Sequence, residues 1–143
     1  IEFGRSGVGV WFRDTQKMTM ALAKANVPFE KNNPLTLLMS DVATGVLKPD
    51  ILNEKVLSAI VEIKVPVART EEIIRLVHEV ENDVDSVVAL GVGTRCAENG
   101  EESVVAPILE RMGYRIERAK TNTGLGRITN KTEKPSQAAV SAM

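Results

Sequence analysis

Between residues 91 and 103 the chain gathers most of the side-chain types that bind or react: Thr94, Arg95, Cys96, Asn99 and Ser103, set among Glu98, Glu101 and Glu102. Gly91 and Gly93 would let backbone N–H groups approach a ligand closely. Arg95 would add a charge-assisted hydrogen bond to an anion, with Thr94, Asn99 and Ser103 as neutral partners. Farther on, Arg127 closes a glycine-rich stretch and supplies a second cation that a flexible loop could bring to the same anion. The expected ligand-binding set is therefore Gly91, Gly93, Thr94, Arg95, Asn99, Ser103 and Arg127, and the expected ligand is a small anionic metabolite.

No cofactor can be named from these residues. The run Gly91-Val92-Gly93-Thr94-Arg95-Cys96 lacks the third glycine of a dinucleotide fingerprint, and no Gly-Lys-Ser/Thr ending exists anywhere, which excludes a P-loop. The three glutamates place negative charge where a phosphate would sit. With Asn99 they could hold a hard cation, but such a cluster is more often a solvated face. One histidine and one cysteine cannot form a zinc site within a single chain.

Covalent chemistry has little to work with. Cys96 beside Arg95 could carry a lowered pKa, and its only histidine partner would be His78. On a strand–helix–strand layout the two stand at opposite ends of a seven-residue strand, separated by about 20 Å at ~3.3 Å per residue. His78 is expected instead at the surface, paired with a carboxylate. No nucleophile, base and orienting group can be assembled, so an enzyme ranks behind two other readings. The first is a ligand-binding or regulatory domain; the second is a non-catalytic module for homo-oligomerisation or protein interaction.

The elements that would position the loop lie between residues 56 and 114. Leu57, Ala59, Val61, Ile63 and Val65 alternate as one face of a strand. Thr70 caps a helix whose stripe is Ile73, Leu76, Val77, Val80 and Val84, with Glu71 and Glu72 in its first turn and Arg75 within reach of Glu71 and Glu79. Residues 86–92 are apolar on both faces and are expected at the centre of the sheet. The loop would thus leave the C-terminal end of a strand, where α/β folds commonly bind ligands. After it, Asn99-Gly100 signals a hairpin, whereas Val104, Ile108 and Met112 repeat at helical spacing behind Ser103. The helical reading is preferred, giving an α/β domain with a mixed or parallel sheet built on a βαβ unit. The hairpin would give a ferredoxin-like α+β sandwich.

Upstream, residues 8–12 read as a strand. Asp14 caps a helix with Met18, Ala21, Leu22 and Ala25 on one face, and Asn33-Pro34 opens another through Leu35, Leu38, Met39 and Val42, ending at Gly45. A short helix follows Pro49. The chain opens on isoleucine, so residues 1–6 read as an appended or truncated start. Residues 7–120 form the expected domain, with an edge strand near 114–120 and a polar, flexible tail over 121–143.

With 143 residues and a formal charge of −1, the chain suits one soluble domain and gives no global attraction to nucleic acid or anionic membranes. Few aromatics, a lone cysteine and no long apolar run favour a cytoplasmic protein with neither nucleic-acid nor membrane partners. Acids dominate residues 71–102 and bases residues 111–134, an asymmetry expected to orient a homodimer.

Overall fold

Phe3 has no exposed surface, because it lies on the middle strand of the main sheet. The computed structural model describes residues 1–94 and 104–114. In chain order the elements are β1 (Glu2–Phe3), β2 (Val10–Trp11), α1 (Phe12–Lys24), α2 (Pro34–Leu37), β3 (Met39–Asp41) and β4 (Val46–Leu47). They continue with β5 (Lys55–Val56), β6 (Ala59–Ile60), α3 (Thr70–Glu81), β7 (Val88–Ala89) and α4 (Ala106–Arg111), with 3-10 turns at Pro49–Ile51 and Val67–Arg69.

The main sheet has the order β6-β1-β7. Phe3 faces Ala59 on one side and Val88 on the other, both in antiparallel register. Hydrogen bonds from Val61 N to Ile1 O and from Gly4 N to Val87 O, each 2.9 Å, extend the two ladders. Residues 1–6 therefore supply the central strand, a place that a three-residue apolar–polar–apolar run cannot announce.

This arrangement corrects the expected sheet. Every strand pair among the described residues is antiparallel, so the architecture is α+β, and no directly bonded parallel pair is present there. Residues 86–92 were expected centrally; among the described residues β7 pairs with β1 alone, and Val87, Leu90 and Val92 are exposed. The expected strand 57–65 is broken at its start. β5 pairs with β2, the exposed Leu57 turns the chain, and β6 then joins β1. From Ala59 the alternation holds: Ala59 and Val61 are buried, and Ile63 and Val65 pack against the core.

Two helices also start or end elsewhere than expected. α1 begins at Phe12, ahead of Asp14, because backbone carbonyls of Leu52 and Glu54 cap it. Phe12 N donates to Glu54 O and Arg13 N to Leu52 O, both at 3.1 Å. Asp14 is instead buried in the first turn, its carboxylate 2.6 Å from Lys17 Nζ. The second helix stops at Leu37 rather than Gly45, although Asn33 caps it by accepting from Leu35 N at 2.9 Å. Local polar bonds end it: the Asp41 carboxylate accepts from Ala43 N at 2.9 Å and from Thr44 Oγ1 at 2.7 Å, folding β3 onto β4. Gly45 completes that turn at φ +73°, and an added Cβ would stand 2.2 Å from the Thr19 carbonyl oxygen. Thr19, fully buried on α1, binds the hairpin in return by donating to Gly45 O at 2.6 Å.

The core lies between α1, α3 and the sheet. Met18 and Leu22 from α1, Ile73 and Val77 from α3, and Phe3, Val10, Leu47 and Val61 belong to one buried cluster. The α3 stripe matches its helical spacing, with Leu76 and Val80 half-buried at its flank and Val84 buried just beyond the helix. Thr70 is the first residue of α3 rather than its cap; Arg69 holds the cap position and gives no side-chain capping bond. α4 is shorter than the expected helix and begins behind Val105. Residues 95–103, where hairpin and helix competed, and residues 115–143, with the expected edge strand and tail, lie outside the described residues. No helix among the described residues is long and apolar enough to cross a membrane.

Candidate functional site

Of the expected ligand-binding residues, Gly91, Gly93 and Thr94 lie within the described structure; Arg95, Asn99, Ser103 and Arg127 lie outside it, as do Cys96, Glu98, Glu101 and Glu102. The structure brings the first three to one place. Residues 91–94 run along a cleft of about 170 Å³ whose walls come from Ile63 and Val65 after β6, Ile73 and Ile74 on α3, Leu90 after β7, and Val105 before α4. A second cleft, of about 430 Å³, opens against Glu2, Glu30 and Glu62. The two clefts share Ile63, Leu90, Gly91 and Gly93.

Neither glycine is demanded by the fold. Both lack a positive φ, and a Cβ on either would meet nothing within 4 Å. At these two positions the bare backbone faces open space, the condition for close approach by a ligand.

The first cleft is electrically bland. Its polar side chains among the described residues are Thr70 and Thr94, and no charged side chain lines it there. The charges at the start of α3 are engaged with one another. Arg69 donates to both carboxylate oxygens of Glu72, at 2.9 and 2.6 Å, and to Ala25 O at 2.7 Å. Glu71 accepts from Arg75 at 2.7 Å and from Arg111 at 3.4 Å. These hydrogen bonds hold the carboxyls of Glu71 and Glu72 below the ordinary glutamate range, the arginine bond being the larger cause in each. Both glutamates are therefore ionised and paired at neutral pH. The second cleft is acidic, although Arg5 stands 3.7 Å from Glu2 and Glu30 accepts from Asn32 N at 3.2 Å.

His78 sits on the exposed side of α3 with Nδ1 2.6 Å from the Glu81 carboxylate, the surface pairing expected of it. The link between Glu71 and Arg111 joins the acidic helix to the first of the basic residues within one chain.

One feature near the start invites a phosphate-binding reading that its geometry opposes. The run Gly4-Arg5-Ser6-Gly7-Val8-Gly9 joins a strand to the β2–α1 unit, an order that elsewhere builds phosphate cradles. Here Gly4 and Gly9 are required by packing: a Cβ would stand 2.5 Å from Leu57 O at the first and 2.8 Å from Val56 O at the second. The opening N–H groups of α1 are already bonded to Glu54 and Leu52. The loop anchors strands and leaves no open helix start for an anion. Compared with protein-family models, with curated proteins and with solved structures, the chain matches none.

Proposed function

We propose that this is a small-ligand-binding domain, suited to regulation rather than catalysis, whose site is the cleft between α3 and residues 90–94. One observation carries the reading: two glycines that the fold does not need face a cleft with branched aliphatic walls. A concave, largely apolar site with a few polar groups is the usual form of a small-molecule pocket. The β6–α3–β7 connection fits this position. It is read as a split strand–helix–strand crossover with β1 between its strands, and the loop leaves the far end of β7. Arg95, the cation the sequence offers for an anionic ligand, lies outside the described residues.

The test is a thermal-shift and calorimetric screen of organic acids, nucleotides and inorganic phosphate against three proteins. Val67, on the cleft wall and largely exposed, tolerates replacement, so Val67→Phe narrows the cleft without disturbing the core. Gly93→Val is expected to fold like the wild type and to lose the ligand. A ligand bound equally by both variants and the wild type would place the site elsewhere.

A second reading, assembly into a homodimer, is supported by β6, which among the described residues lies at the sheet margin with Ile60 exposed beside the exposed Leu57. A margin strand offers unpaired backbone groups to a neighbour. Sedimentation at tens of micromolar in low and high salt tests it; a monomer in low salt refutes it.

A further inference from the structure

Away from the cleft beside α3, we infer that the outer margin of β6 takes an extended peptide by strand addition, with one apolar side chain of the peptide entering a third cleft. This cleft, of about 350 Å³, lies beside β6 and the start of α2. Among the described residues its apolar walls include Phe12, Leu35, Leu38 and Val56, and Asn33, Ser58 and Glu62 add polar side chains. The strand alongside has backbone groups to spare. Ile1 and Val61 exchange hydrogen bonds in both directions, each 2.9 Å. In an antiparallel ladder the next residue, Ile60 opposite Glu2, therefore turns its N–H and C=O away from β1. Those two groups and the Glu62 N–H have no hydrogen-bond partner among the described residues. Pairing on that side begins only farther on, where Glu30 N donates to Glu62 O at 2.9 Å and Lys64 N to Pro28 O at 3.2 Å. After Glu30 the chain turns off toward α2, with Asn33 N donating to Glu30 O, and leaves the edge beside Ile60 open.

Asn33 points to a ligand independently of the strand. It is 3% exposed, and its Oδ1 accepts from Leu35 N at 2.9 Å. That bond fixes which half of the amide is nitrogen, and Nδ2 has no partner among the described residues. No fully enclosed side-chain nitrogen or oxygen there lacks a partner, so this one is open to the cleft that Asn33 lines. A nearly buried amide without an acceptor is costly until a carbonyl reaches it. A peptide main chain supplies carbonyls together with the N–H that Ile60 O lacks, and its side chain fills the apolar cleft, the usual division of labour in strand addition. A second β6 fits less well. Two copies paired about Ile60 would set residue 58 of each against residue 62 of the other, the place Glu30 already holds. Glu62 is exposed and has no ion pair among the described residues, so a basic residue beside the apolar one suits the site.

The test titrates a fluorophore-labelled capped peptide, acetyl-Lys-Leu-Thr-Val amide, into the full chain by fluorescence polarisation. Companion peptides carry Ala in place of Leu, an N-methylated Leu, or Glu in place of Lys. The Ala peptide is expected to bind at least about tenfold more weakly, and the N-methylated one about tenfold more weakly. Asn33→Asp keeps the capping oxygen and removes the N–H donors, and should cost about tenfold in affinity. Glu62→Lys, at an exposed position, should shift the preference between the Lys and Glu peptides by about two- to fivefold toward Glu, which loss of folding cannot mimic. Equal affinity for the parent and N-methylated peptides overturns strand addition. Unchanged binding in both Asn33→Asp and Glu62→Lys overturns the site. A dimer in sedimentation that excludes the peptide overturns the assignment in favour of a second copy, and no binding of any peptide at about 1 mM overturns it outright.

Discussion

Phe3→Ala tests whether the first residues of the chain belong to the core. The Phe3 side chain is fully buried in the core, on the strand that β6 and β7 flank. Removing its ring forfeits a transfer free energy of about 2–3 kcal/mol. Both neighbours are held in hydrogen-bonded ladders, so the site collapses only in part, and the residual cavity adds about 1–2 kcal/mol. The expected loss is about 4 kcal/mol, a large fraction of the ~5–15 kcal/mol that stabilises a typical domain. Ile60→Ala, on the adjacent strand but 44% exposed, is the control and should cost no more than about 1 kcal/mol. Urea unfolding followed by circular dichroism and by the single tryptophan supplies both numbers. Trp11 is a suitable reporter because it is half-buried with Arg13 stacked 4.3 Å from its ring centroid. At an ordinary slope of about 2 kcal/mol per molar urea, Phe3→Ala should lower the midpoint by about 2 M. If the two variants unfold within about 0.5 kcal/mol of each other, the central placement of β1 is wrong.

Gly45→Ala combines a positive φ with a Cβ 2.2 Å from the Thr19 carbonyl, and should lower stability by at least about 2 kcal/mol in the same assay. Gly91→Ala, free of both constraints, should leave the midpoint within about 0.5 kcal/mol. Lys17→Met removes the ammonium 2.6 Å from the buried Asp14 carboxylate and should cost about 1–3 kcal/mol, below the range for fully buried pairs because Lys17 is itself half-exposed. A variant carrying both Lys17→Met and Asp14→Asn should recover part of that loss. Stability should also fall in acid. Glu71, Glu72 and Asp41 have carboxyls held below their ordinary values, by Arg75 and Arg111, by Arg69, and by Thr44 and Ala43 respectively. Their contribution is present above the ordinary values of 4.5 and 3.8 and drains away as the pH drops through the lowered ones. Being exposed, these groups contribute weakly, and thermal midpoints at pH 3 and pH 6 should converge for Arg69→Ala relative to wild type. Wild-type stability unchanged down to pH 2.5 would count against those pairings.

What sequence reasoning could see follows from how far each signal extends along the chain. The α3 stripe repeats over several turns, and Ile73 and Val77 are buried as it predicts, while Ile74, outside that stripe, is buried as well. The Asn33 cap is fixed by a single residue with a strong local preference and is present, whereas the short helix expected after Pro49 is a 3-10 turn over Pro49–Ile51. The long second helix failed because Leu38, Met39 and Val42 fit a helical period while the Asp41–Thr44 bonds favour a turn, leaving Val42 exposed. The sheet was misjudged for a different reason: β1 has two residues, and no period can be read from two residues. With β1 missed, the doubly apolar run 86–92 looked central. The position of residues 91–94 just after a strand was legible from the sequence. The cleft's aliphatic walls were not, because they draw on four separate stretches of chain.

The placement of β1 also sets the order in which the protein can fold. Glu2 and Phe3 are partners of residues 59–60 and 88–89, so nothing near them in sequence completes their hydrogen bonding. During synthesis β1 leaves the ribosome long before either partner exists. Closing such long loops is entropically costly and slow, whereas α1 and the β3–β4 hairpin find their partners within the first 54 residues. The helix and hairpin would therefore form early, while a short apolar strand waits with both edges unsatisfied until α3 has carried β7 into position. That interval is when another nascent chain could occupy the slot between β6 and β7, so yield on refolding should fall with protein concentration more steeply than native stability would suggest.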